Sequence, residues 1–225
     1  MHSPSSSTPR APAPDGKKGS AIAGGPSAYQ VEGFSYAEFP AGARVLDIGF
    51  GWGEQMREVE RRGGRAFGLE FDVPQALRGR GFGLSVCRGS AERLPFATAS
   101  LDGVICKVVL MYTDEARSLA EIARVLRPGG TARVSYHGLG YPLKDVCSAR
   151  AWKRRVYGAR TIVNTAVYRA TGRRLPRFWG DTLFQTSPRL RRYYRTVGLE
   201  LVSEHLSRRF GGSPVYICHV LRKRA

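Results

Sequence analysis

The sequence predicts an α/β fold built on a mostly parallel sheet, and three observations lead to that prediction. Short apolar runs alternate with helix-like segments from residue 43 to residue 136, which is typical of parallel strands joined by right-handed crossovers. Three glycines, Gly49, Gly51 and Gly53, alternate with bulkier residues after the first apolar run. An acidic residue, Asp47 or Glu70, lies at or near the end of each of the first two runs. These features are expected to meet at the carboxyl edge of the sheet, where open α/β folds bind ligands.

The individual elements follow from these runs and from their end signals. We expect strands over 43–48, 65–70, 83–87, 102–107 and 131–136, and helices over 54–62, 74–79 and 114–126. Three residues that end helices, Pro128, Gly129 and Gly130, follow the last of these helices.

The N-terminal region is expected to differ from the rest of the chain. Residues 1–27 are rich in Ser, Pro, Ala and Gly and have almost no large apolar side chains, so they are predicted to be a disordered tail. Residues 28–225 then form one domain. It is expected to open with a short helical lead-in over 28–40, whose packing residues are Tyr29, Phe34, Tyr36 and Phe39.

After residue 138 the regular alternation gives way to a basic insertion over 139–187. Its main predicted element is a helix over 149–170. One stripe of this helix is expected to be its packed face, and comprises Trp152, Val156, Ala159, Val163 and Ala166. A second stripe either walls a ligand pocket or forms a half-buried edge, and comprises Tyr157, Thr161, Asn164 and Tyr168.

The chain is predicted to close with a helix over 189–197 and an antiparallel strand pair over 199–207 and 214–222. Aromatic residues in the loop before that helix either close the pocket or anchor the loop; they are Phe178, Trp179 and Phe184.

The charge is unusual and uneven. The 225 residues contain 36 basic and 18 acidic side chains, a formal net charge of +18. Residues 139–225 hold 19 of the basic and only 4 of the acidic ones, a net of +15. Such a cationic region attracts RNA, anionic lipid surfaces or acidic substrates, or is simply the solvated surface of an arginine-rich protein.

The four cysteines are widely spaced, with no Cys-x-x-Cys pair, so neither a zinc site nor a redox motif is indicated. No apolar run approaches the ~20 residues that span a bilayer. A cytoplasmic location is therefore expected, although an organellar transit peptide at the N-terminus stays open.

The glycine turn favours one class of ligand over another. A dinucleotide fingerprint requires glycine at its sixth position, and Glu54 stands there. The carboxylate of Asp47 beside the turn suits a cationic ligand instead. Glu70 follows Asp47 by 23 residues, close to the ~20-residue spacing at which such sheets present an acid to a ribose.

Four ordered segments make the chain resemble the class I S-adenosylmethionine-dependent methyltransferases. Besides the glycine turn, residues 89–96 are similar to that family's adenine-side segment, residues 101–106 to its fourth strand, and residues 121–130 to the turn before its fifth strand. The resemblance covers about residues 30–137. It implies a Rossmann-like, seven-stranded sheet with a closing antiparallel strand, and S-adenosylmethionine as cofactor.

The resemblance also implies roles for individual residues. Asp47 would face the cofactor's ammonium group, and the three glycines would pass beneath its methionine and ribose. Glu70 would accept from both ribose hydroxyls. Ser90 replaces the usual aspartate at the adenine. The remaining expected contacts are Ala91 through its N–H, Glu92 as a substitute carboxylate unless it only faces solvent, and Lys107 through its carbonyl.

Large side chains around the turn have two possible roles each. Trp52 is a candidate for stacking near the cofactor, while Phe71 and Leu84 either sandwich adenine or belong to the core.

The acceptor is less well defined than the cofactor. The resemblance is strongest to the small-molecule subgroup that contains ubiquinone- and menaquinone-type enzymes. Base-amine methyltransferases carry a proline-rich motif after the fourth strand, and cytosine-C5 enzymes carry a Pro-Cys nucleophile; neither motif occurs in this chain. His137 is the candidate general base, with Tyr136 and Tyr141 as alternatives, unless it is a loop histidine without a role.

Two functions are therefore predicted, in order of preference. The first is methyl transfer to a small, anionic or lipophilic acceptor beneath a lid formed by 139–187, with peripheral contact to an anionic membrane as an option. The alternative is an RNA-binding methyltransferase or an RNA-associated protein that uses the basic C-terminal region. A cofactor-binding protein that has lost catalysis is disfavoured by Asp47 and Glu70.

Overall fold

A computed structural model describes residues 31–173, 175 and 182–225. The predicted tail at 1–27 lies outside the described residues, as do Tyr29, Phe178 and Trp179. The strands are β1 Arg44–Ile48, β2 Arg65–Glu70, β3 Val86–Arg88, β4 Leu101–Lys107, β5 Leu126–His137, β6 Leu199–Leu206, β7 Arg209–Phe210, β8 Ser213–Pro214 and β9 Tyr216–Lys223. The α-helices are α1 Glu54–Arg61, α2 Val73–Gly81, α3 Glu115–Val125, α4 Gly140–Ser148, α5 Trp152–Thr171 and α6 Ser187–Thr196, and a 3-10 turn spans Leu110–Tyr112.

Seven strands form one sheet in the order β3-β2-β1-β4-β5-β9-β6. Neighbours from β3 to β5 are parallel, whereas β9 is antiparallel to both β5 and β6. The predicted fold class is thereby confirmed: a mostly parallel, Rossmann-like sheet with one antiparallel strand. β7 and β8 form a separate small hairpin that was not predicted.

Two apolar clusters cover the faces of the sheet, because successive strand residues point to opposite sides. Leu46 and Val104 belong to one cluster with side chains of α3 and α6. Val45 and Ile105 belong to the other, with side chains of α1 and of the segment before β1. The sheet is buried on both sides, so its carboxyl edge is left to form a site.

The predicted lead-in helix over 28–40 is wrong for its described part. Residues 31–40 contain turns and no helix. Gly33 adopts a left-handed φ of 72°, which interrupts helical geometry. The predicted packing residues behave as expected, since Tyr36 is buried and Phe34 and Phe39 pack against the same cluster.

The predicted helix over 149–170 corresponds to α5, and a shorter helix that was not predicted, α4, precedes it. Ala149 has extended backbone angles and separates α4 from α5. Gly158 lets the two helices touch, because a Cβ there would lie 2.7 Å from the Pro142 carbonyl oxygen. Arg154 Nε on α5 also donates to Asp145 Oδ1 on α4 over 2.9 Å.

The packed face of α5 was predicted wrongly. The expected stripe faces solvent: Trp152 is 68% exposed and Val163 50% exposed. The buried residues of α5 are Gly158, Thr161, Asn164 and Thr165. The polar stripe therefore packs inward, because its hydroxyl and amide groups find backbone partners there. None of the helices in the described part of the chain is long and apolar enough to span a membrane.

Candidate functional site

The glycine turn after β1 bends the chain through three left-handed residues. Gly49, Gly51 and Gly53 have φ values of 70°, 58° and 75°, which other residues adopt only with strain. A Cβ at Gly49 would collide with Val109, and one at Gly53 with Leu84, whereas the space beside Gly51 is open. The close approach that a ligand requires is thus available at Gly51, while Gly49 and Gly53 serve packing within the chain.

Asp47 is a buried carboxylate with unused hydrogen-bonding capacity. Asp47 is only 3% exposed, and its Oδ2 has no hydrogen-bond partner among the described residues. Burial raises the pKa of Asp47 to about 7, Lys107 opposes this rise, and Glu70 adds to it. A buried charge of this kind is unfavourable without a partner, so the position suits a cationic group of a ligand.

Lys107 lies on the same side of the sheet edge as Asp47. Its ammonium nitrogen is 5.5 Å from the centre of the Tyr36 ring and close enough to Asp47 to lower the pKa of that carboxyl group. The sequence prediction assigned its backbone carbonyl to the cofactor; the side chain adds a positive charge to the same region.

Glu70 ends β2 and folds back on its own backbone. Its Oε1 accepts from the N–H of Phe71 at 2.9 Å and of Asp72 at 3.4 Å. Its Oε2 makes no hydrogen bond to the residues that the structure describes. The Oε1 contacts therefore hold the Glu70 carboxylate in place, and Oε2 is available to accept a hydrogen bond from a ligand hydroxyl.

The 90–92 segment is held by local contacts. Ser90 Oγ accepts from the Glu92 N–H at 3.2 Å, and Ala91 is buried. Glu92 Oε1 accepts from the Asp114 N–H at 2.9 Å, which ties the segment to the start of α3. Glu92 thus already has a structural contact; its proposed contact to adenine stays a prediction.

The large residues around the turn divide into exposed and buried ones. Trp52 is 51% exposed, with the Arg78 guanidinium 4.7 Å from its ring centre. Phe71 is also exposed. Leu84 is buried in the cluster beneath the glycine turn, which favours the core role for that side chain.

His137 ends β5 beneath a tyrosine. Its ring stacks on Tyr141 with centres 3.6 Å apart and planes 5° apart, and it is only 2% exposed. Neither ring nitrogen has a hydrogen-bond partner among the described residues. Burial lowers the pKa of His137 to about 3, so the ring is neutral at neutral pH and is a weak base while Tyr141 covers it.

The inward stripe of α5 reaches the segment before α6. Tyr157 Oη and Thr182 Oγ1 are 2.5 Å apart, and Tyr112 lies close enough to raise the pKa of the Tyr157 phenol. Tyr168 lies farther along, with the Arg189 guanidinium 4.9 Å from its ring centre. Tyr112, Tyr141 and Tyr157 therefore place phenol groups around the same end of the sheet.

Asn164 has a different environment from Tyr157. Its Oδ1 accepts from the Leu175 N–H at 3.0 Å, and its Nδ2 donates to the Thr182 carbonyl at 3.4 Å. These contacts hold the chain against α5. Its predicted contact with a ligand remains untested.

Known proteins match the segments that form this edge. Residues 46–134 match the sequence model of the family described as a methyltransferase domain. An uncharacterized methyltransferase of Mycobacterium tuberculosis is 32% identical over 111 residues, covering 47% of this chain and 44% of the relative. A demethylmenaquinone methyltransferase of Corynebacterium kroppenstedtii is 32% identical over 94 residues, covering 41% of each chain.

A solved structure matches more of the chain. The fold of an S-adenosylmethionine-dependent methyltransferase of Methanosarcina mazei superposes with a TM-score of 0.61 and 17% identity, covering 83% of this chain and 94% of that one. Residues 46–134 therefore match the methyltransferase domain family, and the chain has the fold of S-adenosylmethionine-dependent methyltransferases. The matched segments span less than half the length of the two curated relatives.

Two features of this methyltransferase fold were missed from the sequence. Val108 adopts a φ of 60° directly after β4, a left-handed conformation that is strained for a β-branched residue. The kink brings Val109 under Gly49 and starts the 3-10 turn that carries Tyr112. No pattern in the sequence signals it, because valine is a poor candidate for such a turn.

The second missed feature joins two of the family segments. Glu121 Oε2 accepts from the Leu94 N–H at 2.7 Å, and Arg124 donates to the carbonyl oxygens of Leu94 and Phe96. The 89–96 segment is therefore held against α3. The i, i+3 spacing of Glu121 and Arg124 could have signalled an ion pair, but not its target. The described residues contain no group of three or more side chains suited to a metal ion.

Proposed function

We propose that this protein is an S-adenosylmethionine-dependent methyltransferase that modifies a small-molecule acceptor. The observation that supports this most directly is Asp47, a buried carboxylate with an unpartnered oxygen beside the glycine turn. The open space at Gly51 and the second oxygen of Glu70 extend the same edge. These groups fit a ligand that combines an ammonium with ribose hydroxyls.

The residues of this chain would bind and align rather than react. The cofactor, when bound, supplies a methyl group on a positively charged sulfur that an acceptor displaces. Asp47 would hold the ammonium end and Glu70 the ribose. Ser90, Ala91 and Glu92 would border the adenine, and Lys107 the methionine end. Such alignment alone accounts for large rate gains, since effective molarities reach ~10⁵ M.

The acceptor side is proposed to lie between β5 and α5. Residues 139–187 would act as a lid, with Tyr157, Asn164 and Tyr168 facing the acceptor. His137 would take the acceptor's proton where one is lost, after Tyr141 moves off its ring. We infer a small, anionic or lipophilic acceptor; the demethylmenaquinone methyltransferase relative supports the lipophilic option, and the basic lid the anionic one. A cytoplasmic location fits this role.

The cofactor assignment is tested by calorimetry with purified protein. S-adenosylmethionine and S-adenosylhomocysteine should bind, and NAD should not. Glu70→Ala should weaken cofactor binding by about 1.5–3 kcal/mol, the scale of a hydrogen bond to a charged group. Glu60→Ala, which removes an exposed carboxylate of α1, is the matched control and should bind as the unchanged protein does. Absence of heat with both sulfur ligands would refute the proposal.

An RNA-directed role is the second candidate, and only the +15 charge of residues 139–225 favours it. Transfer of a labelled methyl group into cell extract, followed by separation of RNA, protein and organic-soluble fractions, distinguishes the two. Label in the organic-soluble fraction is expected. Label in RNA that nuclease removes, with binding that weakens steeply with salt, would favour the alternative.

A further inference from the structure

The outward face of α5 is apolar, and no described residue covers it. Trp152, Val156 and Val163 are 68%, 38% and 50% exposed, and Ala159 and Ala166 on the same face are exposed as well. These five residues recur at three- and four-residue steps, so they form one stripe along the helix. We call them the outer stripe. Contiguous exposed apolar surface of this kind usually marks a contact site.

Positive charge borders the outer stripe on both sides. At 100° per residue, Lys153 and Arg160 flank it on one side and Arg155 on the other. The 20 residues of α5 contain five basic and no acidic side chains. An apolar stripe with a tryptophan and cationic borders is the pattern of helices that lie in a membrane interface.

The inner face of α5 is fixed to the protein, so the outer stripe cannot turn inward. Thr161, Asn164 and Thr165 are buried, and Thr165 Oγ1 accepts from the Phe184 N–H at 3.1 Å. Arg154 ties the helix to Asp145 on α4. The stripe is therefore presented outward by a helix of ~30 Å length that is held in place.

We propose that the outer stripe docks this protein onto an anionic lipid bilayer, with α5 parallel to the membrane plane. Charge complementarity selects this occupant. A second copy meeting stripe to stripe would bring basic borders against basic borders, which is repulsive. RNA would be attracted by the cations but would leave the valines and alanines without an apolar partner. The proposal goes beyond the methyltransferase assignment and does not depend on it.

Vesicle sedimentation tests the proposal with the full-length protein. Vesicles of phosphatidylcholine with about one third phosphatidylglycerol should bind it, and pure phosphatidylcholine vesicles should bind it at least tenfold more weakly. Trp152→Ser/Val163→Ser should reduce binding to the anionic vesicles at least tenfold. Leu77→Ser/Leu206→Ser, which removes two exposed leucines of α2 and β6, is the matched control and should bind normally.

The contribution of the basic residues that flank the outer stripe is tested with a separate pair of variants. Lys153→Gln/Arg160→Gln should weaken binding to anionic vesicles severalfold. Arg80→Gln/Arg195→Gln, which removes two exposed cations from α2 and α6, should weaken it much less. An equal loss in both pairs would indicate attraction by net charge alone and would overturn the assignment to α5.

Quenching of tryptophan fluorescence by lipids brominated on their acyl chains reports the orientation. The unchanged protein should be quenched, and Trp152→Phe should keep vesicle binding while losing most of the quenching. Absent binding to anionic vesicles would refute the proposal, as would binding that survives Trp152→Ser/Val163→Ser in full. A dimer in light scattering that dissociates in that variant would identify a second copy as the occupant instead. Far-UV circular dichroism and urea midpoints, measured in parallel, show that each variant is folded.

Discussion

At the scale of single residues, the ionisation of Asp47 should depend on whether a cationic ligand is bound. Its carboxyl group is buried with one oxygen unpartnered in the described structure, and its pKa is raised from 3.8 to about 7, chiefly by burial. A bound ammonium would reverse this shift by favouring the ionised form. Cofactor affinity and protein stability should therefore depend on pH through one group.

The sign of each dependence follows from the raised pKa. As pH rises from about 4 to about 7, the unfolded chain loses the Asp47 proton while the folded, ligand-free protein keeps it, so stability falls across that window. If Asp47 binds the ammonium group of the cofactor, binding needs the ionised carboxylate, and the dissociation constant should rise up to tenfold for each pH unit below 7.

Asp47→Asn tests both effects because an amide does not titrate in this range. Urea unfolding without ligand, from pH 4 to pH 8, should show the variant gaining stability relative to the unchanged protein as pH rises. Calorimetry should show weaker cofactor binding with little pH dependence below 7. A parallel pH profile of affinity in both proteins would assign the titration to another group.

At the scale of elements, the backbone directly after β4 is strained, and no sequence pattern indicates this strain. Val108, directly after β4, is 9% exposed and left-handed, and Val104 within β4 is fully buried. Replacing either valine by glycine removes a side chain. Only at position 108 does glycine also remove the strain of a left-handed backbone conformation. Val108→Gly should therefore cost about 1–3 kcal/mol less stability than Val104→Gly. Urea midpoints measure the difference, and equal losses would mean that Val108 is not strained.

α5 shows where sequence patterns mislead at this scale. The spacing predicted the helix and both of its stripes, yet it assigned the apolar stripe to the interior. The structure buries the polar face because Asn164 and the adjacent Thr165 contact backbone groups of Leu175, Thr182 and Phe184. Those partners are distant in sequence, so no local pattern identifies them. Hydrophobicity alone predicts that an apolar stripe is buried. That prediction fails where apolar residues lie on the surface to contact another molecule.

At the scale of the whole molecule, the sheet was predictable and the acceptor side was not. Strands β1, β2, β4 and β5 follow from continuous apolar runs, and Gly49, Gly51 and Gly53 locate the turn beside them. These features depend on neighbours in sequence. The grouping of Tyr112, Tyr141 and Tyr157 depends on the kink at Val108 and on the break between α4 and α5, and neither was predicted.

The proposed acceptor side leads to the last prediction, which concerns the proposed lid over 139–187. Tyr157→Phe removes a hydroxyl that contacts Thr182 beside Tyr112 and leaves the ring in place. If Tyr157 faces the acceptor, labelled-methyl transfer into an active extract should fall at least tenfold, while calorimetry shows an unchanged dissociation constant for S-adenosylmethionine. Asn164→Ala is a poorer probe, because its amide holds the backbone on both sides and its loss would cost about 1–3 kcal/mol of stability.

Tyr193→Phe on α6 is the matched control, since it removes a half-buried tyrosine hydroxyl that contacts Arg189, outside the proposed site. Its transfer should remain within twofold of the unchanged protein. Full transfer by Tyr157→Phe would make the inner stripe of α5 a packing surface only. A weakened cofactor affinity with normal turnover at saturating cofactor would instead place Tyr157 on the cofactor side, because a residue that touches only the acceptor cannot change binding of the methyl donor alone.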